Sequence, residues 1–189
     1  MSRPPRTWLA GSFLVASALA LTLITACGGG GGGGGGPTEP TPTPTPRGIV
    51  FTPGSAVANG ISLAAATAPD NSTLLLEVRA NAVTDLYGVA FNLRYPNTTL
   101  RYVRVTQGTF LTGASLQIAE GTGGALIVGL SKLGTAAGTS GSGVLLTLEF
   151  QSVAAGDGTF SFTNNTAINS TAQTLSGLSW SAGTARVTL

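Results

Sequence analysis

The sequence contains no histidine, a single cysteine and few charged residues, which make up 8% of its 189 residues. Without histidine there is no Ser-His-Asp triad, no imidazole general base and no typical transition-metal site. With only Cys27, no intrachain disulfide forms, so an apolar core must hold the fold. These absences exclude most catalytic and metal-binding functions.

The acidic side chains do not form a catalytic or cation-binding pattern either. Glu77 and Glu149 alternate with apolar residues and are predicted on the solvent faces of strands, while Asp85 and Asp157 fall in turn-forming segments. A calcium site takes about six to eight oxygen ligands, usually from clustered Asp, and the sequence has no such cluster. We therefore predict that the protein is not an enzyme and carries no metal or cofactor.

The basic pI of the chain comes from its first residues. The chain has 9 Lys and Arg against 7 Asp and Glu, and Arg3 and Arg6 account for the whole difference, because 9 minus these two leaves 7. From Cys27 onward the chain is neutral, so its charge predicts no binding to nucleic acid.

Residues 1–26 are typical of a signal peptide. Arg3 and Arg6 precede an apolar stretch, residues 8–24, that is too short and too rich in Ala and Ser to favour a stable spanning helix. The stretch leads into LITAC, residues 23–27, which resembles the lipobox of bacterial lipoproteins. This resemblance implies that Cys27 becomes the acylated first residue of the mature protein, anchored to a membrane by its lipid chains.

The location follows from the same resemblance. The protein is expected outside the cytoplasm, and in the outer membrane or at the cell surface if the host has two membranes, because Gly28 stands where a retention signal would place aspartate. An ordinary secretory signal with an incidental cysteine, or an uncleaved anchor, is the alternative.

Residues 27–47 are predicted to be a linker. Residues 28–36 are all glycine, and residues 37–46 alternate proline with threonine or glutamate. The first segment favours a flexible coil and the second a semi-rigid polyproline II spacer. Such spacers resemble the linkers of extracellular polysaccharide-degrading systems, so we interpret residues 27–47 as a tether that holds a domain away from a membrane.

Residues 48–189 are predicted to form one all-β domain. The clearest pattern lies in residues 87–95, where apolar or aromatic residues alternate with Gly88, Ala90, Asn92 and Arg94. Residues 74–82 show a similar alternation, and a β-rich run at 100–106 follows Pro96 so closely that it predicts a hairpin. About nine short strands predict an antiparallel β-sandwich, with residues 134–143 as a loop and Ala185, Val187 and Leu189 facing inward.

Four segments in order resemble the cohesin module, the β-sandwich receptor of cellulosome scaffolds. They are residues 86–100 (LYGVAFNLRYPNTTL), 102–108 (YVRVTQG), 141–150 (GSGVLLTLEF) and 154–162 (AAGDGTFSF), and residues 180–189 fit the closing strand. The resemblance implies a nine-stranded jelly roll, related to certain carbohydrate-binding modules, that binds a dockerin-like or envelope-assembly protein.

The chain departs from the cohesin pattern at two places. It has Tyr95-Pro96-Asn97 where the family usually has Tyr-Asp-Pro. It also has Gly88 and Ala90 where cellulosomal cohesins present polar side chains to dockerin, and neither residue offers a side-chain hydrogen bond. The resemblance therefore carries over no contact residue, and it leaves dockerin binding open.

The residues favour two functions. The first is protein binding at an exposed sheet, with Asn92, Arg94 and Tyr102 as the candidate exposed contacts. The alternative is a carbohydrate-binding module linked to polysaccharide catabolism, for which Tyr102 is the best candidate among few aromatic residues. A passive spacer domain is a third possibility.

Overall fold

The computed structural model describes residues 48–189. The predicted signal peptide, Cys27 and the linker to residue 47 lie outside the described residues. The described residues form strands and no helix, so no helix in this range is long and apolar enough to cross a membrane. The strands are β1 (Ile49–Pro53), β2 (Gly60–Ala66), β3 (Thr73–Arg94), β4 (Leu100–Gln107), β5 (Ser115–Gly121), β6 (Ala125–Ser131), β7 (Thr139–Ser152), β8 (Gly156–Asn169), β9 (Ser179–Ser181) and β10 (Gly183–Val187).

The 22-residue strand β3 belongs to both sheets of the sandwich. Its first half, residues 73–80, lies between β2 and β7 in a sheet ordered β9-β2-β3-β7-β4. Its second half, residues 86–94, lies between β8 and β6 in a sheet ordered β1-β10-β8-β3-β6-β5. The pairings are antiparallel except that of β2 with β9. The all-β sandwich prediction is confirmed.

A kink in the middle of β3 lets it change sheets. Ala82 and Asp85 have φ angles of 44° and 54°, in the left-handed region that L-residues seldom adopt. The β3–β7 register shifts on both sides of Val83, as expected at β-bulges. Two serines of β7 accept hydrogen bonds from the backbone amides at the kink. Ala82 N–H donates to Ser142 Oγ at 2.8 Å, and Asp85 N–H donates to Ser140 Oγ at 2.9 Å.

The core lies between the two halves of β3 and their neighbours. The predicted alternation is confirmed at Leu74, Leu76 and Val78 and again at Phe91 and Leu93, all of which are buried. Phe150 lies at the centre of a ring cluster, with its centroid 5.1 Å from that of Tyr95, 5.5 Å from Phe160 and 6.0 Å from Tyr102. All the buried apolar residues that the structure describes lie between residues 61 and 187, so this part of the chain encloses its own core, as a separately folding domain does.

The hairpin predicted around Pro96 is wrong. The chain does turn there, with Thr99 N–H and Leu100 N–H donating to the Pro96 carbonyl at 3.0 and 2.9 Å. However, β4 pairs with β7 in the other sheet and not with β3. The segment 95–99 is therefore a crossover between sheets, a pairing that local sequence pattern does not reveal.

Three smaller predictions are also corrected. Residues 74–82 and 87–95 lie on one strand and not two, because the bulged segment at residues 82–85 continues the pairing. The predicted loop 134–143 ends early, since β7 begins at Thr139. Leu189 lies beyond β10 and is 67% exposed, whereas Ala185 and Val187 face inward as predicted.

Candidate protein-binding face

The outward side of residues 161–168 of β8, residues 86–94 of β3, β6 and β5 forms a broad surface that we name the charge-poor face. The register aligns its residues in rows across the strands, so that Ala90 lies between Thr166 and Gly129, and Gly129 pairs with Gln117. Its outward residues are Ser161, Thr163, Thr166 and Ile168 on β8, Gly88, Ala90, Asn92 and Arg94 on β3, Ala125, Ile127, Gly129 and Ser131 on β6, and Ser115, Gln117, Ala119 and Gly121 on β5. Among these outward residues only Arg94 is charged.

A depression of about 360 Å³ lies at one end of the charge-poor face. Its floor is formed by Gly88, Ala90 and Gly129, which have little or no side chain, and Leu133 and Ile168 line it as well. Leu133 is 67% exposed. We name this feature the apolar depression. It exists because small residues lie side by side on neighbouring strands while larger apolar residues surround them.

The outward side of the other sheet is different, and we name it the charge-rich face. Arg104 forms an ion pair with Glu149 at 2.6 Å across β4 and β7, and Arg79 pairs with Glu77 at 2.5 Å on β3. Arg101 donates to Gln151 Oε1 at 2.6 Å. These charges are satisfied within the protein, so the two faces of the sandwich have opposite character.

The three candidate contacts predicted from the sequence do not lie together. Asn92 is half-buried in the middle of the charge-poor face, next to Ile127 and Thr163, and Arg94 is exposed at the end of that face remote from the depression. Tyr102 lies on β4 in the other sheet, half-buried against Phe150. Burial raises the pKa of its phenol above the ordinary value, and the negative charge of Glu120 adds to the rise.

The Tyr and Trp side chains of residues 48–189 are all engaged inside the domain. Trp180 packs on Phe91 and Phe162, with centroid distances of 5.8 and 5.2 Å. Tyr95 and Tyr102 pack on Phe150, and the Tyr87 hydroxyl donates to the Gly134 carbonyl at 2.8 Å. Within the described range these rings do not form a flat exposed platform for stacking on a sugar.

Asp70 and Asp157 also have partners within the domain. Asp70 Oδ1 accepts from the Ser72 amide and hydroxyl, both at 2.8 Å, and Asp157 lies 3.6 Å from Arg186. Across residues 48–189, no three acidic, His or Cys side chains group in a way that would hold a metal ion.

Gly88 and Ala90 are recognisable from the sequence as outward residues, whereas the residues that complete the depression are not. Gly129 lies between Val128 and Leu130 in a strand whose other face is apolar. A glycine inside a strand often marks a place where a ligand or another backbone approaches closely. Its role becomes visible only through its pairing with Ala90 and Gln117.

The cohesin-domain family model matches residues 60–185, so the chain belongs to the cohesin family. Cohesin domains are non-catalytic binding modules, typically of extracellular or cell-surface assemblies. No curated protein sequence is significantly similar to the chain.

Solved cohesin structures share its fold. The second type II cohesin module of a cellulosomal adaptor scaffoldin from Acetivibrio cellulolyticus is 15% identical, with a TM-score of 0.54 over 74% of this chain and 95% of that one. A non-cellulosomal cohesin from the archaeon Archaeoglobus fulgidus is 17% identical, with a TM-score of 0.52 over 72% and 88%. A chain of a mutant type II cohesin–X-dockerin complex from A. cellulolyticus is 16% identical, with a TM-score of 0.53 over 72% and 95%.

Proposed function

We propose that this chain is a lipid-anchored, non-catalytic envelope protein whose cohesin domain binds a protein partner through the charge-poor face. The observation that carries the proposal is the contrast between the two faces of the sandwich. Charged residues are depleted at the centres of protein–protein interfaces, and the charge-poor face has a single charged outward residue among the described residues.

Exposed apolar side chains on the same face support this function. Ile127 is 50% exposed, and Leu133, which lines the apolar depression together with Ile168, is 67% exposed. A patch of exposed apolar surface is a mark of interaction sites. The solved relatives include cohesins in complex with dockerins. A dockerin-like or envelope-assembly protein is accordingly the partner class we propose. Its contacts at Gly88 and Ala90 would be apolar, because these two residues stand where cellulosomal cohesins have polar side chains.

The alternative of carbohydrate binding receives no support from the described side chains. Its best candidate, Tyr102, packs against Phe150, and the flat stacking surface that pyranose rings require is missing from residues 48–189. Retention of the domain on cellulose, chitin or xylan would favour carbohydrate binding over protein binding.

Membrane attachment through Cys27 completes the proposal and rests on the LITAC sequence of residues 23–27. Radiolabelled palmitate should be incorporated into the wild-type chain and not into Cys27→Ser, and the protein should fractionate with membranes only when Cys27 is present. Label in Cys27→Ser, or none in the wild type, would contradict lipidation.

Capture from the source organism tests partner binding. Immobilised soluble protein of residues 42–189 should recover an envelope or secreted protein, and Gln117→Arg on the charge-poor face should abolish recovery. Thr147→Arg on the charge-rich face is the matched control and should recover the same protein. Failure of the wild type to recover any partner would overturn the proposed function.

A further inference from the structure

We propose that the apolar depression receives one projecting aliphatic or aromatic side chain of the protein partner, surrounded by an uncharged part of the partner's surface. This inference rests on the proposed function and specifies what the partner must present. It makes Gly129 and Ala90 specificity-determining residues, because the absence of larger side chains there leaves the space open.

The size of the depression limits what enters it. Its volume of about 360 Å³ lies near the lower end of the about 300–1,000 Å³ found for ligand pockets. It is bounded on one side by Ile168 of β8 and on the other by Ser115 and Gln117 of β5, and Leu133, just after β6, lines it as well. A space of this size accepts a single large side chain and is too small for a helix or a strand.

The chemistry of the depression selects against charge. The Ser131 hydroxyl at its edge already donates to the Lys132 carbonyl at 3.0 Å, and Lys132 Nζ donates to the Ala137 carbonyl at 2.8 Å. Arg94 lies four residues from Ala90 along β3, which is about 13 Å at strand geometry. A charged side chain in the depression would lose its hydration without a nearby counter-charge, which is unfavourable.

The linker of this chain does not supply such a side chain. Residues 28–46 consist of glycine, proline, threonine and one glutamate, so they contain no aliphatic or aromatic residue other than proline. A separate protein with a projecting apolar residue is therefore the occupant we propose.

Gly129 allows the depression to be filled without disturbing the fold. A Cβ added at Gly129 meets nothing within 4 Å, whereas one added at Gly88 would lie 2.9 Å from Ser131 Oγ. Gly129→Ile places a branched side chain, which strands favour, in the empty space. Gly121→Ile is the matched control for small probes, because Gly121 lies outside the depression on the same face, and its added Cβ meets Ala125 at an ordinary 3.5 Å.

Small probes test the chemistry before any partner is known. Cyclohexanol, cyclohexanecarboxylate and cyclohexylammonium share one ring and differ in charge, and each is titrated into ¹⁵N-labelled protein of residues 42–189. Cyclohexanol should produce saturable shifts of the Gly88, Ala90 and Gly129 amides and bind at least fivefold more tightly than either ion. Gly129→Ile should abolish these shifts, and Gly121→Ile should keep them. No shift at these amides, or tighter binding of an ion, would overturn the inference and leave the proposed function standing.

The captured partner provides the second test. Gly129→Ile should weaken its binding at least tenfold. Thr147→Ile, on the charge-rich face, should weaken it less than twofold, with thermal unfolding used to verify that both variants are folded. A photo-crosslinking amino acid in place of Gln117 should react with a partner segment that carries an aliphatic or aromatic residue and no charged neighbour.

Three results would overturn the inference. They are equal binding of the partner by Gly129→Ile and Thr147→Ile, a charged residue at the crosslinked position, and a dimer of this chain in sedimentation equilibrium that Gly129→Ile dissociates. The last result would assign the depression to a second copy of the chain.

Discussion

Asp85 and Ser170 are hydrogen-bonded across the kink of β3, with the Ser170 hydroxyl donating to Asp85 Oδ2 at 2.8 Å. The Ser170 amide points to the same oxygen at 3.4 Å. Asp85 thus joins the middle of β3 to the segment that follows β8, at the place where β3 passes from one sheet to the other.

Replacing Asp85 should destabilise the domain. Asp85→Ala removes the acceptor and places alanine at a φ of 54°, where Asp and Asn are tolerated better. We expect the free energy of unfolding to fall by about 1–2 kcal/mol, measured by urea denaturation. Asp85→Asn retains an acceptor oxygen and the backbone tolerance, so it should lose about half as much. Equal losses for the two variants would contradict this role.

Glycine should be better than alanine at the other kink residue. Ala82 has a φ of 44°, which is unfavourable for any residue with a Cβ. Ala82→Gly should therefore raise the free energy of unfolding by about 0.5–1 kcal/mol. Ala80→Gly is the control on the same strand, and because Ala80 is fully buried and is not among the residues with positive φ, it should lower that free energy.

Phe150 should be among the most sensitive core positions. Its ring contacts Tyr95, Tyr102 and Phe160 and is fully buried, so Phe150→Ala should cost about 3–5 kcal/mol. Val153→Ala, at a residue that is 46% exposed, should change stability by less than about 0.5 kcal/mol. Chemical denaturation of both variants measures the difference, and a loss below about 1 kcal/mol at Phe150 would contradict the packing described above.

The domain should lose stability at alkaline pH through two tyrosines. Burial raises the pKa of Tyr95 and of Tyr102, and Glu120 raises both further. Because the folded state holds these protons more tightly, their stabilising effect is complete below the unfolded pKa of about 10. It is lost as the pH rises through the higher folded values.

Spectroscopic titration at 295 nm and unfolding between pH 9 and about 12 would measure this effect. The double variant Tyr95→Phe, Tyr102→Phe should flatten the alkaline loss of stability. Glu120→Gln should bring both phenol pKa values closer to the ordinary one. An unchanged alkaline profile in the double variant would show that other groups cause the loss.

The sequence predicts the faces of the strands better than their partners. Residues such as Leu76, Phe91 and Leu93 are buried as predicted because side-chain alternation is a local property of a strand. The pairing of β4 with β7 is non-local, so proximity along the chain misleadingly favours a hairpin with β3. A bulge in β7 also defeats local prediction. Strict alternation with buried Leu146 would leave Leu145 exposed, but the register shift at this point buries both side chains.

The candidate site was only partly predictable for the same reason. Gly88 and Ala90 were identified as outward residues of one strand, but Gly129 and Ile168 join them only through pairings in the folded sheet. The prediction that Tyr102 is exposed overlooked its position over Phe150, since an aromatic contact between β4 and β7 depends on the crossover at Pro96.

The register of β1, β10 and β8 determines how the domain presents its depression. Ile49 pairs with Val187, which pairs with Gly156 at the start of β8, whereas Ile168, near the end of β8, pairs with Gly88. The chain therefore enters the domain at one end of β8, and the depression lies up to about 40 Å away toward the other end. Whatever is joined to the domain at Gly48 would therefore leave the depression uncovered, at the opposite end of the described strands.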